Sequence, residues 1–415
     1  MTEKSLLIIG AVWVEPNSSA AGSRMLQLIE LFLRENYTIT FATTTQKTEK
    51  AFDLKSIGID EVSIELNSFS FDDFVKELNP AIVLFDRFMI EEQFGWRVAE
   101  NCPHAIRILD TEDLHCLRKV REESIKKQED FTIEKLLKST IAKREIAAIL
   151  RCDLSLIIST FEMELLQNIF KIDKKLLVHI PFLLDKMDKK QVSNWKPFQE
   201  RKHFTFIGNF LHAPNVDAVL LLKKSIWKLI KKQLPKAEIH IYGAYATQQI
   251  LQLHNDKEGF LVKGFASNPI EIVKKSKVVI APLRFGAGIK GKLTEAMICG
   301  TPSVTTSIGA EGMHANLPWN GFVENDFNLF AEKAIALYSD EKIWKESQLN
   351  GVEIINQLYD KDKISKTFIE RLLRLQSNIE THRAQNFFGS LLQHQSLQST
   401  KYMSKWIEEK NKNHP

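Results

Sequence analysis

The sequence predicts an α/β protein built as two doubly wound domains facing a cleft, followed by a helical C-terminal tail. Three observations predict it. Short apolar runs of strand length alternate with helical patterns along most of the chain, which argues for parallel sheets covered by helices on both faces. The alternation stops at a polar stretch over residues 185–203 and then starts afresh. The length, 415 residues, suits two to three domains.

In order along the chain, strands are expected at 6–11, 37–43, 62–66, 81–85, 105–109, 154–159 and 176–180. The run from Leu6 to Val14 imitates a signal peptide. A lone Lys4 beside Glu3, and Glu15-Pro16 ahead of the small residues, favour a buried first strand instead. A helix over 23–34 carries apolar residues around a wide arc. Residues 115–150 contain neither Pro nor Gly and are dense in Lys, Arg and Glu, so one or two long amphipathic helices are expected there. After the linker, strands are expected at 204–207, 238–242, 260–264, 278–283, 303–306 and 321–324. Helices are expected at 215–234, 269–276 and from about 290, and the chain reads as wholly helical from Asn328. The domain boundaries implied are 1–184, a linker over 185–203, 204–360, and a helical segment over 361–415 whose polar part after Ser377 reads as partly mobile.

Composition excludes several classes. Apolar residues are 44% and charged residues 26%, which rules out wholesale disorder. Lys and Arg number 56 against 52 Asp and Glu, a net +4, too small to make nucleic acid the expected partner. The four cysteines form no C-x-x-C pair, so zinc ribbons are unsupported. No apolar run reaches the roughly 18 residues of a membrane span. There is no H-E-x-x-H or G-x-S-x-G constellation for metal or serine chemistry.

Most chemical information lies in the strand–turn–helix segment 278–297. Gly286 and Gly288 let backbone amides approach a ligand closely, with Arg284, Lys290 and Lys292 nearby and a helix start behind them. On physical grounds this is an anion site. Gly286-x-Gly288-x-x-Gly291 also matches a dinucleotide fingerprint, but it falls in the fourth unit of its domain and Glu311 lies beyond the next strand. A P-loop reading fails because Leu293 stands where Ser or Thr would hold Mg²⁺.

Several segments taken together resemble the donor-binding domain of retaining GT-B glycosyltransferases of group 1, also called family 4. They are Phe206-Ile207-Gly208-Asn209-Phe210 with Pro214-Asn215-Val216-Asp217; Ile239-x-Ile241-Tyr242-Gly243; Val262-Lys263-Gly264-Phe265; 281–292; and Glu295-Ala296-Met297 through Gly300-Thr301-Pro302. Order and spacing hold over about 204–313. The resemblance implies the GT-B fold, two Rossmann-like domains, and transfer of a sugar from a nucleotide diphosphate sugar to a hydroxyl acceptor with retention. It implies a donor site of Gly208, Asn209, Arg284, Gly286, Ala287, Gly288, Ile289, Lys290, Lys292 and Glu295, the last taking ribose hydroxyls. The family often has two Glu eight positions apart; here the earlier position is Ala287. The usual Arg and Lys after the first strand of this domain are missing, with Asn209 and His212 nearby instead.

The first half resembles GT-B acceptor domains. Gly22 and Arg24 belong to a loop expected to face the cleft. Asp110, Asp113 and His115 are expected to orient or deprotonate the acceptor hydroxyl, although Asp113 equally suits the N-cap of the following helix. Glu162 reads as a helix start. No cofactor and no metal are expected, since lysines and a helix dipole can stabilise the leaving diphosphate. Expected partners are the nucleotide sugar and a glycan, lipid-linked or other hydroxyl acceptor, with no nucleic acid. The expected setting is cytoplasmic, in glycan or polysaccharide synthesis. A weak peripheral membrane contact through Arg118, Lys119, Arg121, Lys126 and Lys127 is a further expectation. The alternatives are a non-catalytic nucleotide-sugar-binding or partner-binding module and an NAD-dependent oxidoreductase.

Overall fold

A computed structural model describes residues 4–413. Two all-parallel sheets form the framework. The first holds β1 (Ser5–Gly10), β2 (Thr38–Thr43), β3 (Asp60–Ser63), β4 (Ile82–Asp86), β5 (Ile106–Asp110), β6 (Leu154–Ile157) and β7 (Leu177–His179), in the order β3-β2-β1-β4-β5-β6-β7. The second holds β8 (Lys202–Ile207), β9 (Ile239–Tyr242), β10 (Phe260–Gly264), β11 (Ser276–Ala281), β12 (Ser303–Thr305) and β13 (Gly321–Val323), in the order β10-β9-β8-β11-β12-β13. The central strands are fully apolar because helices cover both faces: Leu6 to Ile9, Ile82 to Phe85 and Val278 to Ala281 are all buried. The first strand, once a rival for a signal peptide, is thus the centre of a sheet, paired with β2 and β4.

In each sheet the strand order reverses beside the first strand, between β1 and β4 and between β8 and β11. A doubly wound sheet opens a crevice at such a switch, outside the carboxyl ends of the strands. Loops from both switches line one shared cleft.

One expectation about helices changes and one holds. The stretch 115–150 is three helices, His115–Lys127, Ile133–Lys138 and Thr140–Arg151. Gln128, with φ +57°, ends the first, and Ser139 in extended conformation separates the others. The polar tail is helical through Ile379–Gln385 and Phe387–Asn413. Together with helix Lys361–Ser377 it returns to the first sheet's domain. Phe368, Leu372 and Leu375 are buried in the same cluster as Phe32, Tyr37 and Ile39, and the Phe32 and Phe368 rings meet edge-on at 5.8 Å. Arg383 ties this segment down by bonding both carboxylate oxygens of buried Asp153, each at 2.8 Å.

The chain crosses between the sheets twice, and the crossings lie side by side. Leu184 N–H donates to Tyr359 O and Lys361 N–H to Leu184 O, both at 2.9 Å.

Candidate functional site

The cleft is a cavity of about 400 Å³ lined by both domains. On the second domain's side, Gly208 directly follows β8 and the Gly turn after β11 leads into helix Gly291–Ile298. Gly286 at φ +155° and Gly288 at φ +62° adopt backbone that side chains disfavour. Lys292, in the first turn of that helix, reaches back over the end of β8. Its Nζ lies 2.5 Å from Asn215 Oδ1 and 4.3 Å from the Phe206 ring centroid. A Cβ on Gly208 would stand 2.9 Å from this Nζ, so the ammonium occupies the space that the missing side chain leaves. Glu295 lies one turn further along and lines the same wall.

Burial sets the electrostatics of this wall. It pulls the Lys292 ammonium down to about 7, with Glu295 opposing, and pushes the Glu295 carboxyl up to about 7, with Lys292 opposing. Lys290 is drawn down to about 8 by burial while Glu311 opposes; its Nζ donates to Gly288 O at 2.7 Å. These are lysines held in low dielectric without a full counter-ion, a condition that any bound anion would relieve.

Most expected donor-site residues meet here. Gly208, Asn209, Gly286, Ala287, Ile289, Lys290, Lys292 and Glu295 line the cavity. Two do not. Arg284 points to the surface, where it is 39% exposed and forms a fork with the Asp217 carboxylate on the neighbouring helix, so it is already spent as a phosphate ligand. Gly288 sits in the seam between domains. Its N–H donates to Glu162 Oε1 at 2.9 Å, and a Cβ there would meet Asp113 Cβ at 2.8 Å.

The first domain's side needs more correction. Asp110 is fully buried and bonded to Arg24 at 3.0 Å; Arg24, also buried, donates further to Ile180 O at 2.5 Å. This pair fastens helix Ala20–Arg34 to β5 beneath the cleft, so neither residue reaches a ligand. Gly22 likewise lies below the surface, where a Cβ would be 2.3 Å from Glu15 O. The cleft-facing residues of that loop are instead Asn17 to Ala21.

Asp113 and His115 do line the cleft. Asp113 is not a helix cap: Leu114 occupies that position. The orphan N–H groups of Leu114, His115 and Cys116 go to the Glu162 and Glu145 carboxylates. That leaves Asp113 to accept two bonds from Arg118, at 2.7 and 3.2 Å, with His115 Nε2 3.4 Å away. Burial would raise the Asp113 carboxyl, but Arg118 and His115 hold it well below the usual carboxylate range. Burial lowers His115 to about 4 against the pull of Asp113, so the imidazole is neutral near pH 7. His212 faces them from the second domain, lowered to about 4 by burial and by Arg118.

Two charged cleft residues were given no role from the sequence. Arg87, just after β4, has φ +73°, and Glu112, just after β5, has φ +60°. Both line the cavity, and burial pushes the Glu112 carboxyl well up, aided by Asp110. Only their positions immediately after expected strands could have flagged them.

The domains are also pinned across the cleft. Arg121 on helix His115–Lys127 bonds both oxygens of Glu311, at 2.7 and 2.8 Å, and Gly286 O at 2.9 Å. Glu162, read as a helix start, is indeed in a first turn, but its carboxyl also bridges Leu114 N and Gly288 N. Burial, then Asp113, raises it to about 8. Tyr245 OH bonds Glu15 at 2.9 Å. Of the five bases considered for a membrane surface, Arg118, Lys119, Arg121 and Lys126 all have carboxylate partners.

The chain is similar to several known proteins. Residues 201–340 match the family model described as glycosyl transferases group 1. A curated relative, an uncharacterized 44.6 kDa protein in the cps region of Klebsiella pneumoniae, is 24% identical over 166 residues, which are 38% of this chain and 43% of that protein. The match therefore spans less than half of that relative's length. Among solved structures, a mutant of S. aureus TarM in complex with Fondaparinux, α-GlcNAc-glycerol and UDP aligns with TM-score 0.66 at 13% identity, covering 90% of this chain and 99% of that one. Sucrose-phosphate synthase from Thermosynechococcus elongatus aligns with TM-score 0.64 at 14% identity, over 90% and 99%. Anabaena HepE in complex with UDP and glucose aligns with TM-score 0.60 at 13% identity, over 89% and 99%. Identities this low convey the fold. Residues 201–340 are thus similar to group 1 glycosyl transferases, within a chain that has the two-domain GT-B fold.

Proposed function

We propose that the protein transfers a sugar from a nucleotide diphosphate sugar to a hydroxyl acceptor in glycan or polysaccharide synthesis. The observation that carries this reading is the Lys292 ammonium, laid over Gly208 at the end of β8 with Glu295 one helical turn away. The diphosphate would lie between the Gly286 turn, Lys290 and Lys292. The Glu295 carboxylate would accept the ribose hydroxyls. In the transfer the anomeric C–O bond to the diphosphate breaks, a C–O bond to the acceptor oxygen forms, and the hydroxyl proton passes to the departing diphosphate. The two lysines and the N-terminus of helix Gly291–Ile298 would stabilise the charge growing on the leaving group, so the step is proposed to proceed without a metal. Asp113 and neutral His115 would orient the acceptor hydroxyl from the opposite wall. Retention is proposed from the resemblance of the donor domain.

The setting is proposed as glycan assembly on the cytoplasmic side, with support from the relative in a cps region and from the UDP-bound structures of similar fold. Among the described residues no helix is long and apolar enough to cross a membrane.

The test is a thermal-shift series with UDP, GDP and NAD, followed by an assay for released nucleoside diphosphate. A ligand at 100 times its Kd adds about 2.7 kcal/mol of stability. Response to a nucleoside diphosphate, with turnover of its sugar, is expected. Response without turnover would mean a binding module, and response to NAD alone an oxidoreductase.

A further inference from the structure

Arg87 stands apart from the other arginines around the cleft. Arg24, Arg118, Arg121 and Arg284 each donate two or more hydrogen bonds to a carboxylate. The Arg87 side chain makes no hydrogen bond to any described residue. Its nearest carboxylate contact is Asp86 Oδ1, 3.5 Å from Nε, beyond hydrogen-bond length. Yet this side chain is only 18% exposed. A guanidinium carries five N–H donors, and leaving them desolvated without acceptors is costly.

The backbone holds it in place at further cost. Arg87 has φ +73° and ψ 154°, a conformation that a non-glycine residue avoids. Its N–H donates to Asp110 O at 2.8 Å, and its carbonyl accepts from Ile90 N–H at 3.1 Å at the head of helix Phe88–Asn101. Those ties hold the strained turn and present the side chain to the cavity. Asp86, Glu112 and Asp113 keep the guanidinium charged, raising it above its ordinary value against burial, but none of them accepts a hydrogen bond from it. Asp113 is engaged by Arg118, and Asp86 meets Arg87 only through Oδ1 at Nε, 3.5 Å away, so the two terminal nitrogens of the fork have no acceptor among the described residues. Burial pushes the Glu112 carboxyl toward its neutral form.

We propose that Arg87 is an anion-binding residue of the acceptor subsite, and that the acceptor carries a carboxylate or phosphate group close to the hydroxyl that is glycosylated. The planar fork of a guanidinium matches both groups in two-point fashion and with opposite charge, and the charge is what neither a neutral sugar nor a simple alcohol can supply. The proposal rests on the glycosyltransferase reading and extends it from a generic hydroxyl acceptor to an anionic one, such as a uronic acid or a polyol phosphate.

The test uses the full chain and two matched pairs of probes, glycerol 3-phosphate against glycerol and methyl glucuronide against methyl glucoside. Each is titrated by calorimetry or ligand-observed NMR into free protein and into protein saturated with UDP. In at least one pair the anionic member is expected to bind about tenfold more tightly or better, the scale of one charge-assisted hydrogen bond. Arg87→Gln should erase the preference and leave UDP affinity within about twofold. Arg87→Lys keeps the charge without the fork, should retain part of the preference, and keeps the test readable if the Gln variant folds poorly. Three results would overturn the proposal: no preference in either pair, a preference that survives Arg87→Gln, or an anionic probe that competes with UDP. The UDP titration keeps the two readings apart. Protein that binds UDP without an anion preference overturns the Arg87 assignment alone, whereas failure to bind any nucleoside diphosphate strikes the glycosyltransferase reading.

Discussion

Replacing Lys292 with Met tests the diphosphate site most directly. The two side chains are similar in length, so the change removes a charge with little change in volume. Among the described residues the Lys292 ammonium has an amide oxygen and an aromatic face as neighbours, and no carboxylate within ion-pair distance. Burial consequently draws it down to about 7. In free protein near pH 7 it is about half protonated. A bound diphosphate supplies the missing counter-ion and pulls the proton back on. Nucleoside diphosphate affinity should therefore fall as pH rises above 7, by up to about tenfold per unit. Lys292→Met should lose about 1.5–3 kcal/mol of binding at pH 7, roughly 10- to 150-fold, and the slope should flatten.

Stability gives an independent check on the same group. With the folded value at about 7 and the ordinary lysine value at 10.5, the unfolded chain binds more protons between those pH values. Wild-type stability should therefore gain from this group as pH rises through that window, and the Met variant should melt higher at pH 7.5 with the gap closing toward pH 10. Glu295 acts in the opposite sense and at lower pH. Its folded value is raised from 4.5 to about 7, so its contribution is lost between those values and leaves the higher window to Lys292. Calorimetry with UDP and with uridine, in buffers of different ionisation enthalpy, reads both affinity and proton uptake. Equal losses for the two ligands, or an unchanged pH slope in the variant, would refute the assignment.

Three other substitutions probe the rest of the arrangement. Glu295→Gln should lose more affinity for a ribonucleoside diphosphate than for its 2′,3′-dideoxy analogue; equal losses would make the side chain a support of the fold. Arg121→Met strips Glu311 and Gly286 O of their partner, and should loosen the contact between domains by roughly 3 kcal/mol, the low end for a broken buried pair because Glu311 keeps 15% exposure. Small-angle scattering should then show a larger radius of gyration without ligand, and an unchanged profile would count against the latch. Arg24→Met leaves Asp110 buried and uncompensated, at a cost of about 3–5 kcal/mol in urea unfolding; a stability loss below about 1 kcal/mol would show that the pair is not structural.

The framework was legible because its signal is burial. Each run read as a strand has a counterpart, and those at sheet centres agree best. The weakest placement is β3, expected at 62–66 and found at Asp60–Ser63, an edge strand with no buried residue and so little apolar pattern to read. The donor wall was legible because glycines, lysines and Glu295 lie close together in one strand–turn–helix unit. The acceptor wall was not, because side chains alternate along a strand and its end fixes which of them face the cleft. Asp110 is still within β5 and turns inward to Arg24, while the positive φ at Glu112 redirects the chain and brings Glu112 and Asp113 to the cavity. No composition or spacing marks that reversal. The fate of Arg284 was equally hidden, because its Asp217 partner lies 67 positions away in the sequence.

The paired crossings near Leu184 and Lys361 bear on how the chain can be divided. A cut at the linker alone would release a first half without helices Lys361–Ser377, Ile379–Gln385 and Phe387–Asn413. The surface under Phe368, Leu372 and Leu375 would then be bare. A fragment ending there should be sticky and poorly soluble. The complementary piece would carry those helices with nothing to dock on. The separable units are consequently discontinuous in the gene. A faithful acceptor-side domain would need 4–184 fused to 361–413, with the excised span replaced by a short joint where the two crossings already touch. The intervening span would stand as an insert, and a related domain could be exchanged for it through those two adjacent points.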